Sequence, residues 1–188
     1  MNWIFLVELF ARLILVFLVF LSVWSLKVLI EKWRFFKSLE IPFDQLRERI
    51  KNKKDILNLH HYFSDIFNEM SQMRSADQIQ KIFDSYVVLK RKEMDKGLSI
   101  LGTLGSITPF IGLLGTILGI IVSFGELSKG AGSSNTVMYS LAEALVLTAA
   151  GLMVAIPAVV SFNFYTKKIK SILGDLESLK DLFLAYRD

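Results

Sequence analysis

The stretch AEALVLTAAGLMVAIPAVVSF, Ala142 to Phe162, is long enough to cross a bilayer as a helix and holds a single charged residue. That residue is Glu143, near its start, with Thr148 a turn and a half later and Pro157 in its second half. Around them the small residues are ordered. Ser140, Ala144, Thr148, Gly151, Ala155 and Ala158 step by fours and threes, which aligns them on one helical face. Glu143 lies one residue, about 100°, round from Ala144. Leu152, Met153, Val159, Val160 and Phe162 cover much of the remaining circumference. In lipid, small residues let helix backbones approach closely, so such a stripe predicts a packing face. Pro157 leaves the Met153 carbonyl without its usual donor, which membranes tolerate where neighbouring helices or water compensate.

Upstream, Leu98–Gly125 reads LSILGTLGSITPFIGLLGTILGIIVSFG and carries no charge. Gly102, Gly105, Pro109, Gly112, Thr116, Gly119 and Ser123 again step by threes and fours, and Gly115-x-x-x-Gly119 is a close-packing spacing in membranes. A phosphate-cradling glycine loop is not expected, because no Lys-Ser/Thr ending follows these glycines. The first thirty residues form a third apolar block. Leu13–Leu26 supplies 14 uncharged residues, about 21 Å of helix, which Arg12 and Lys27 can lengthen by reaching to opposite interfaces. Glu8 and Arg12, four apart, can pair on one face. The block reads as an uncleaved membrane helix with a short amphipathic lead-in, since no basic residue precedes Arg12 and no clear small-x-small cleavage site follows.

These blocks divide the 188 residues into six parts. They are the lead-in and membrane helix 1 (1–30), a polar helical region (31–97), membrane helix 2 (98–125), a short loop (126–135), membrane helix 3 (136–166) and a tail (167–188). The expected fold is an all-α membrane protein with three transmembrane helices and long cytoplasmic helical extensions, assembling as an oligomeric helical bundle. With 53% hydrophobic residues the composition is far from that of a soluble domain of this size. Lys and Arg number 14 in Glu31–Gly97, 5 in Lys167–Asp188 and one, Lys129, between Glu126 and Asn135. The positive-inside tendency therefore places the polar region and the tail in the cytoplasm and the short loop and N-terminus outside. That same distribution explains the net charge of +4 by topology and makes nucleic acid an unneeded partner.

Within the polar region, Pro42 and the charged run Arg47–Asp55 separate membrane helix 1 from a helical section, in which Leu59, Tyr62, Phe63, Ile66, Phe67, Met70 and Met73 recur at helical spacing. After Ser75 and Gln78, which have the spacing of a capping box, Ile79, Ile82, Phe83, Tyr86, Val87 and Lys90 repeat the pattern. Such stripes predict core packing, and no chemistry is assigned to them. Cysteine is absent and the only histidines, His60 and His61, are adjacent, so neither a metal site nor a cofactor is expected. Without a Cys, an intramembrane His or paired membrane carboxylates, an enzyme is not expected either.

A charged carboxylate at mid-bilayer costs roughly 2.5–3.5 kcal/mol on insertion scales, so Glu143 faces an interior or a watery path, or bonds at the interface to Thr136 or Ser140. Thr116 and Thr148 each sit in a small-residue face on different helices, and a hydroxyl can both donate and accept. Together the three favour a proton route. The alternative is a non-conducting scaffold that only packs and stabilises partner helices.

The two stretches PFIGLLGTILGIIVSF and LAEALVLTAAGLMVAIPAVVSFNFY resemble the second and third membrane helices of the TolQ/ExbB family, relatives of the stator protein MotA. The likeness covers Leu98 to Tyr165, roughly a third of the chain. It implies a bacterial inner-membrane proton-channel subunit, a homopentamer around single-span TolR/ExbD-like helices that carry a proton-binding aspartate. The proton motive force would then drive a TolA/TonB-like protein acting on the outer membrane. On that resemblance Thr116 and Thr148 match the family's pore threonines and Glu143 its acidic residue near the pore. Gly105-Ser106-Ile107 before Thr108-Pro109, with few residues before the first helix, leans toward the TolQ type and so toward Tol-Pal function in cell division. MotA itself has four membrane helices, which three here argue against.

Overall fold

The computed structural model describes residues 3–39, 41–52, 62–73, 75–128 and 134–186, and the side chains of Trp3, Ile4, Ser134 and Thr136 are outside that description. The described residues are all-α, with six helices: α1 (Trp3–Ser38), α2 (Phe43–Lys51), α3 (Ser64–Gln72), α4 (Ala76–Asp95), α5 (Leu98–Ser128) and α6 (Ser134–Tyr186). Of these, α1, α5 and α6 are long and apolar enough to cross a membrane. Gly97, at φ 83°, makes the turn from α4 into α5, a left-handed conformation that a Cβ disfavours. The chain forms two compact units. Met1–Ile30 and Gly97–Asn163 make a membrane unit, and Glu31–Lys96 and Phe164–Asp188 make a polar unit.

In the membrane unit the outward faces are apolar. Val16 is 66% exposed, Phe110 69% and Met153 76%, as expected where lipid rather than water is the surrounding solvent. Ile14 and Leu18 of α1 pack with Leu147 of α6, flanked by Ala11, Ile111, Leu118 and Ala150. Hydroxyls along α5 are satisfied within their own helix: Thr108 donates to the Leu104 carbonyl at 2.7 Å and Ser123 to that of Gly119 at 2.9 Å. Both α5 and α6 run on through their prolines, Pro109 and Pro157.

The polar unit has an aromatic and aliphatic core. Phe63, Ile66, Phe67 and Met70 are buried at α3, Ile79, Phe83 and Met94 on α4, and Ile169, Ile172, Leu176 and Leu179 on the last part of α6. Phe36 stacks on Tyr165 with centroids 5.0 Å apart. Two local readings are corrected here. Ser75 does stand at the N-cap of α4 with extended backbone, but its side chain makes no capping bond, so no capping box forms. The charged run from Arg47 is not a simple separator, because Phe43–Lys51 folds as α2 with Leu46 and Ile50 buried one turn apart. Its Asp44 lies in the first turn and Arg49 and Lys51 in the last, as the helix dipole favours. Leu59, His60, His61 and Lys129 lie outside the described residues. The described part of the Leu59–Met73 stripe has Tyr62 and Phe63 in a turn ahead of α3.

Candidate functional site

Glycine decides how α5 and α6 meet. A Cβ on Gly112 would stand 2.8 Å from the Leu147 carbonyl oxygen and 3.0 Å from Thr148 Cα, and one on Gly151 would stand 2.6 Å from the Thr108 carbonyl oxygen. Backbone therefore touches backbone at this crossing, which only glycine permits. The seam continues in both directions. Gly115 lies against Leu147 and Gly119 against Ala144 on one side, while Gly105 lies against Val159 and Gly102 against the Phe162 ring on the other. Ala155 is buried, and Pro109 and Pro157 sit half-buried and exposed respectively. The stripes that their spacing offers to any partner are thus occupied by each other, within one chain.

This close crossing brings the two threonines together. Thr148 Oγ1 lies 3.2 Å from the Gly112 carbonyl oxygen and 3.4 Å from Thr116 Oγ1, and donates to either. Thr116 in turn donates to the Leu113 carbonyl at 2.7 Å, which leaves its oxygen lone pairs free to accept. The result is a directed chain, Thr148 to Thr116 to the α5 backbone, with one hydroxyl proton shared between two acceptors. Thr116 is buried and Thr148 half-buried. Such a pair can solvate or pass a proton without itself bearing charge.

Glu143 is placed elsewhere. It lies five residues before Thr148 on α6, about 7.5 Å along the axis, exposed, and lines a cavity of roughly 130 Å³ between α1, α5 and α6. Glu8, Arg12, Glu126 and Ser140 share that cavity, whose walls include Leu15, Val122 and Leu147. Arg12 and Glu8 form the ion pair that their spacing allows, with Arg12 Nη2 2.7 Å from Glu8 Oε1. The threonine pair does not line the cavity, so the three polar residues of the sequence reading fall into two neighbouring places. Of the two interfacial partners considered for Glu143, Ser140 shares the cavity and the Thr136 side chain lies outside the description.

Two contributors were not singled out from sequence. Thr108 is fully buried and its carbonyl receives the Gly151 backbone, and the only signal for it was its place beside Pro109. Glu126 ends an uncharged run of 29 residues, Gly97–Gly125, and that boundary was read as the start of a loop rather than as a cavity wall. Among the described residues no group of three or more His, Cys, Asp or Glu gathers as metal ligands would.

Comparison with known proteins gives a consistent family. Residues 37–178 match the family model described as MotA/TolQ/ExbB proton channel family. A protein named biopolymer transport protein ExbB from Aquifex aeolicus is 44% identical over 91 residues, covering 47% of this chain and 60% of that protein. Proteins of the same name are 40% identical over 107 residues in Xanthomonas campestris pv. campestris and 37% identical over 120 residues in Neisseria gonorrhoeae. These matches cover 55% and 60% of this chain and 41% and 53% of the relatives. The chain thus spans about two-fifths to three-fifths of the length of these curated relatives.

Proposed function

The chain belongs to the MotA/TolQ/ExbB proton channel family, and from that premise we propose that it is the proton-conducting, stator-like subunit of a TolQ–TolR or ExbB–ExbD type complex. In this reading it sits in the bacterial inner membrane with its N-terminus periplasmic and its C-terminus cytoplasmic. Five copies surround single-span TolR/ExbD-like helices, and proton flow drives a TolA/TonB-like protein acting on the outer membrane. Gly105-Ser106-Ile107 favours a TolQ-like assignment, with Tol-Pal function in cell division, and the names of the relatives favour an ExbB-like one. The function proposed is what both share.

The observation that carries the reading is the Thr148–Thr116 hydroxyl pair at the glycine crossing. No aspartate occurs between Asp95 and Asp175, so a proton-binding aspartate in the membrane has to come from a partner helix. The hydroxyls then solvate that carboxyl as it takes up and releases its proton, and Glu143 handles protons on the approach to them. Shared donation from Thr148 suits this role, because breaking its bond to Thr116 leaves the Gly112 carbonyl as an alternative acceptor.

The scaffold reading has one observation in its favour: the glycine seam and both hydroxyls are satisfied inside the chain. Thr116→Ala and Thr148→Ala separate the two. Each should co-purify with the partner subunit as wild type does, yet lose function that depends on the proton motive force. A scaffold would keep that function with either change. Glu143→Gln retains size and hydrogen bonding but cannot ionise, and full function in that variant would remove Glu143 from proton handling.

A further inference from the structure

We propose that the cavity between the first turns of α1, the end of α5 and the start of α6 is a cation-concentrating aqueous antechamber within a single chain, and that the Glu8–Arg12 pair sets its charge. At roughly 130 Å³ it has room for about four waters at ~30 Å³ each. Three carboxylates, Glu8, Glu126 and Glu143, and one guanidinium, Arg12, line it, a formal surplus of negative charge. Leu15, Val122 and Leu147 give it low-dielectric walls, which focus the field of those charges into the opening.

Two further observations point to what the cavity takes. The Oε2 atom of Glu126 is shielded from solvent and has no hydrogen-bond partner among the described residues. A carboxylate oxygen in that position is unfavourable unless a donor or a cation reaches it from the cavity. Arg12, the one cation among the lining residues, is held by Glu8 at 2.7 Å and is 70% exposed in its side chain. Its charge is therefore engaged on its own helix rather than with Glu126 or Glu143. Glu8 acts here as a positioning residue. By keeping Arg12 occupied it leaves the other two carboxylates to attract small monovalent cations, through charge rather than through a coordination geometry.

The chain has no cysteine, so Ser140→Cys introduces the sole thiol, at the cavity wall. The full chain in membrane vesicles is labelled with methanethiosulfonate reagents of opposite charge, an ethyltrimethylammonium and an ethylsulfonate. Either reacts by thiolate attack on the reagent sulfur, forming a disulfide and releasing methanesulfinate. The cationic-to-anionic rate ratio, divided by the same ratio for a small thiol in solution, should exceed about tenfold. Adding Glu8→Gln frees Arg12 for Glu126 and Glu143 and should bring the ratio down toward unity, and adding Arg12→Gln as well should restore it. A ratio near unity at the start, no reaction with either reagent, or a ratio unmoved by Glu8→Gln overturns the proposal. Should Glu8→Gln fail to insert, Arg12→Gln alone must raise the ratio, and an unchanged value there is equally contrary. Val146→Cys, also at the cavity wall, replaces Ser140→Cys if that variant does not fold. Labelling requires no proton flux, so this test stands or falls separately from the conduction reading.

Discussion

Gly112→Ala tests the backbone crossing on which the candidate site depends. The added methyl would stand 2.8 Å from the Leu147 carbonyl oxygen and 3.0 Å from Thr148 Cα, atoms of the facing backbone that have no rotamer to escape into. Reaching ordinary contact at about 3.4 Å requires α5 and α6 to part by roughly 0.6 Å. That displacement stretches the Thr148–Gly112 hydrogen bond from 3.2 Å to about 3.8 Å, beyond useful length. Overpacking of this kind costs about 1–3 kcal/mol, and the lost interhelical bond about 0.6 kcal/mol. Alanine recovers about 0.8–1 kcal/mol of helix propensity. The net expectation is a loss of about 1–3 kcal/mol. Gly174→Ala is the matched control, since a Cβ there meets nothing within 4 Å, and it should gain about 0.5–1 kcal/mol. Denaturation of the whole chain in mixed micelles, followed by far-UV circular dichroism, measures both. Gly112→Ala as stable as Gly174→Ala would refute the reasoning.

Other consequences follow from single contacts. Thr148→Ser keeps the hydroxyl and should conduct near wild-type levels with partner present, whereas the near-isosteric Thr148→Val should not, as read by proton flux in vesicles. Lys180, 4% exposed and so buried along its stem, donates to Gln80 Oε1 at 2.8 Å, pairs with Asp181 Oδ1 at 3.1 Å and holds its ammonium 5.2 Å from the Phe83 ring centroid. Lys180→Met preserves that packing and should lie within about 1 kcal/mol of wild type, while Lys180→Ala should lose about 2 kcal/mol in chemical denaturation. Burial, aided by the charges of Asp65 and Glu93, raises the Tyr86 phenol above its ordinary 10.0. The folded state then holds the proton more tightly than the unfolded chain. Its stabilising contribution is complete below that value and is lost as pH rises above it. Between about pH 9 and 11.5, Tyr86→Phe should flatten the alkaline fall in stability, and an unchanged slope would contradict the assignment.

What was legible from residues alone follows a physical division. Three membrane helices were readable because charge is nearly absent over α5 and over the first part of α6, and lipid tolerates no such run unless it is helical. The small-residue steps likewise marked packing faces, but periodicity does not say what packs there. A central partner was the expected occupant, and within the chain Gly112 and Gly151 instead receive each other. Thr116 and Thr148 could be placed on their faces individually, yet their meeting depends on the register between two helices, which no local pattern encodes. The α2 helix escaped notice because five charges in nine residues obscure the Leu46 and Ile50 pair that buries it. Glu126 was passed over for a related reason: a charge at the end of an apolar run reads as the membrane boundary, and only the convergence of α1, α5 and α6 makes it part of a cavity.

The central claim is conduction along a path shared with a partner helix, through the Thr148–Thr116 pair. Proton flux into vesicles containing this chain tests it most directly, measured with and without a co-expressed TolR/ExbD-like subunit and compared between wild type and Thr148→Ala. The account predicts flux that requires the partner and falls at least about tenfold on the substitution, equivalent to about 1.4 kcal/mol of barrier. Flux through the assembled complex that is unchanged by Thr148→Ala, or absent in wild type with its partner bound, would contradict it.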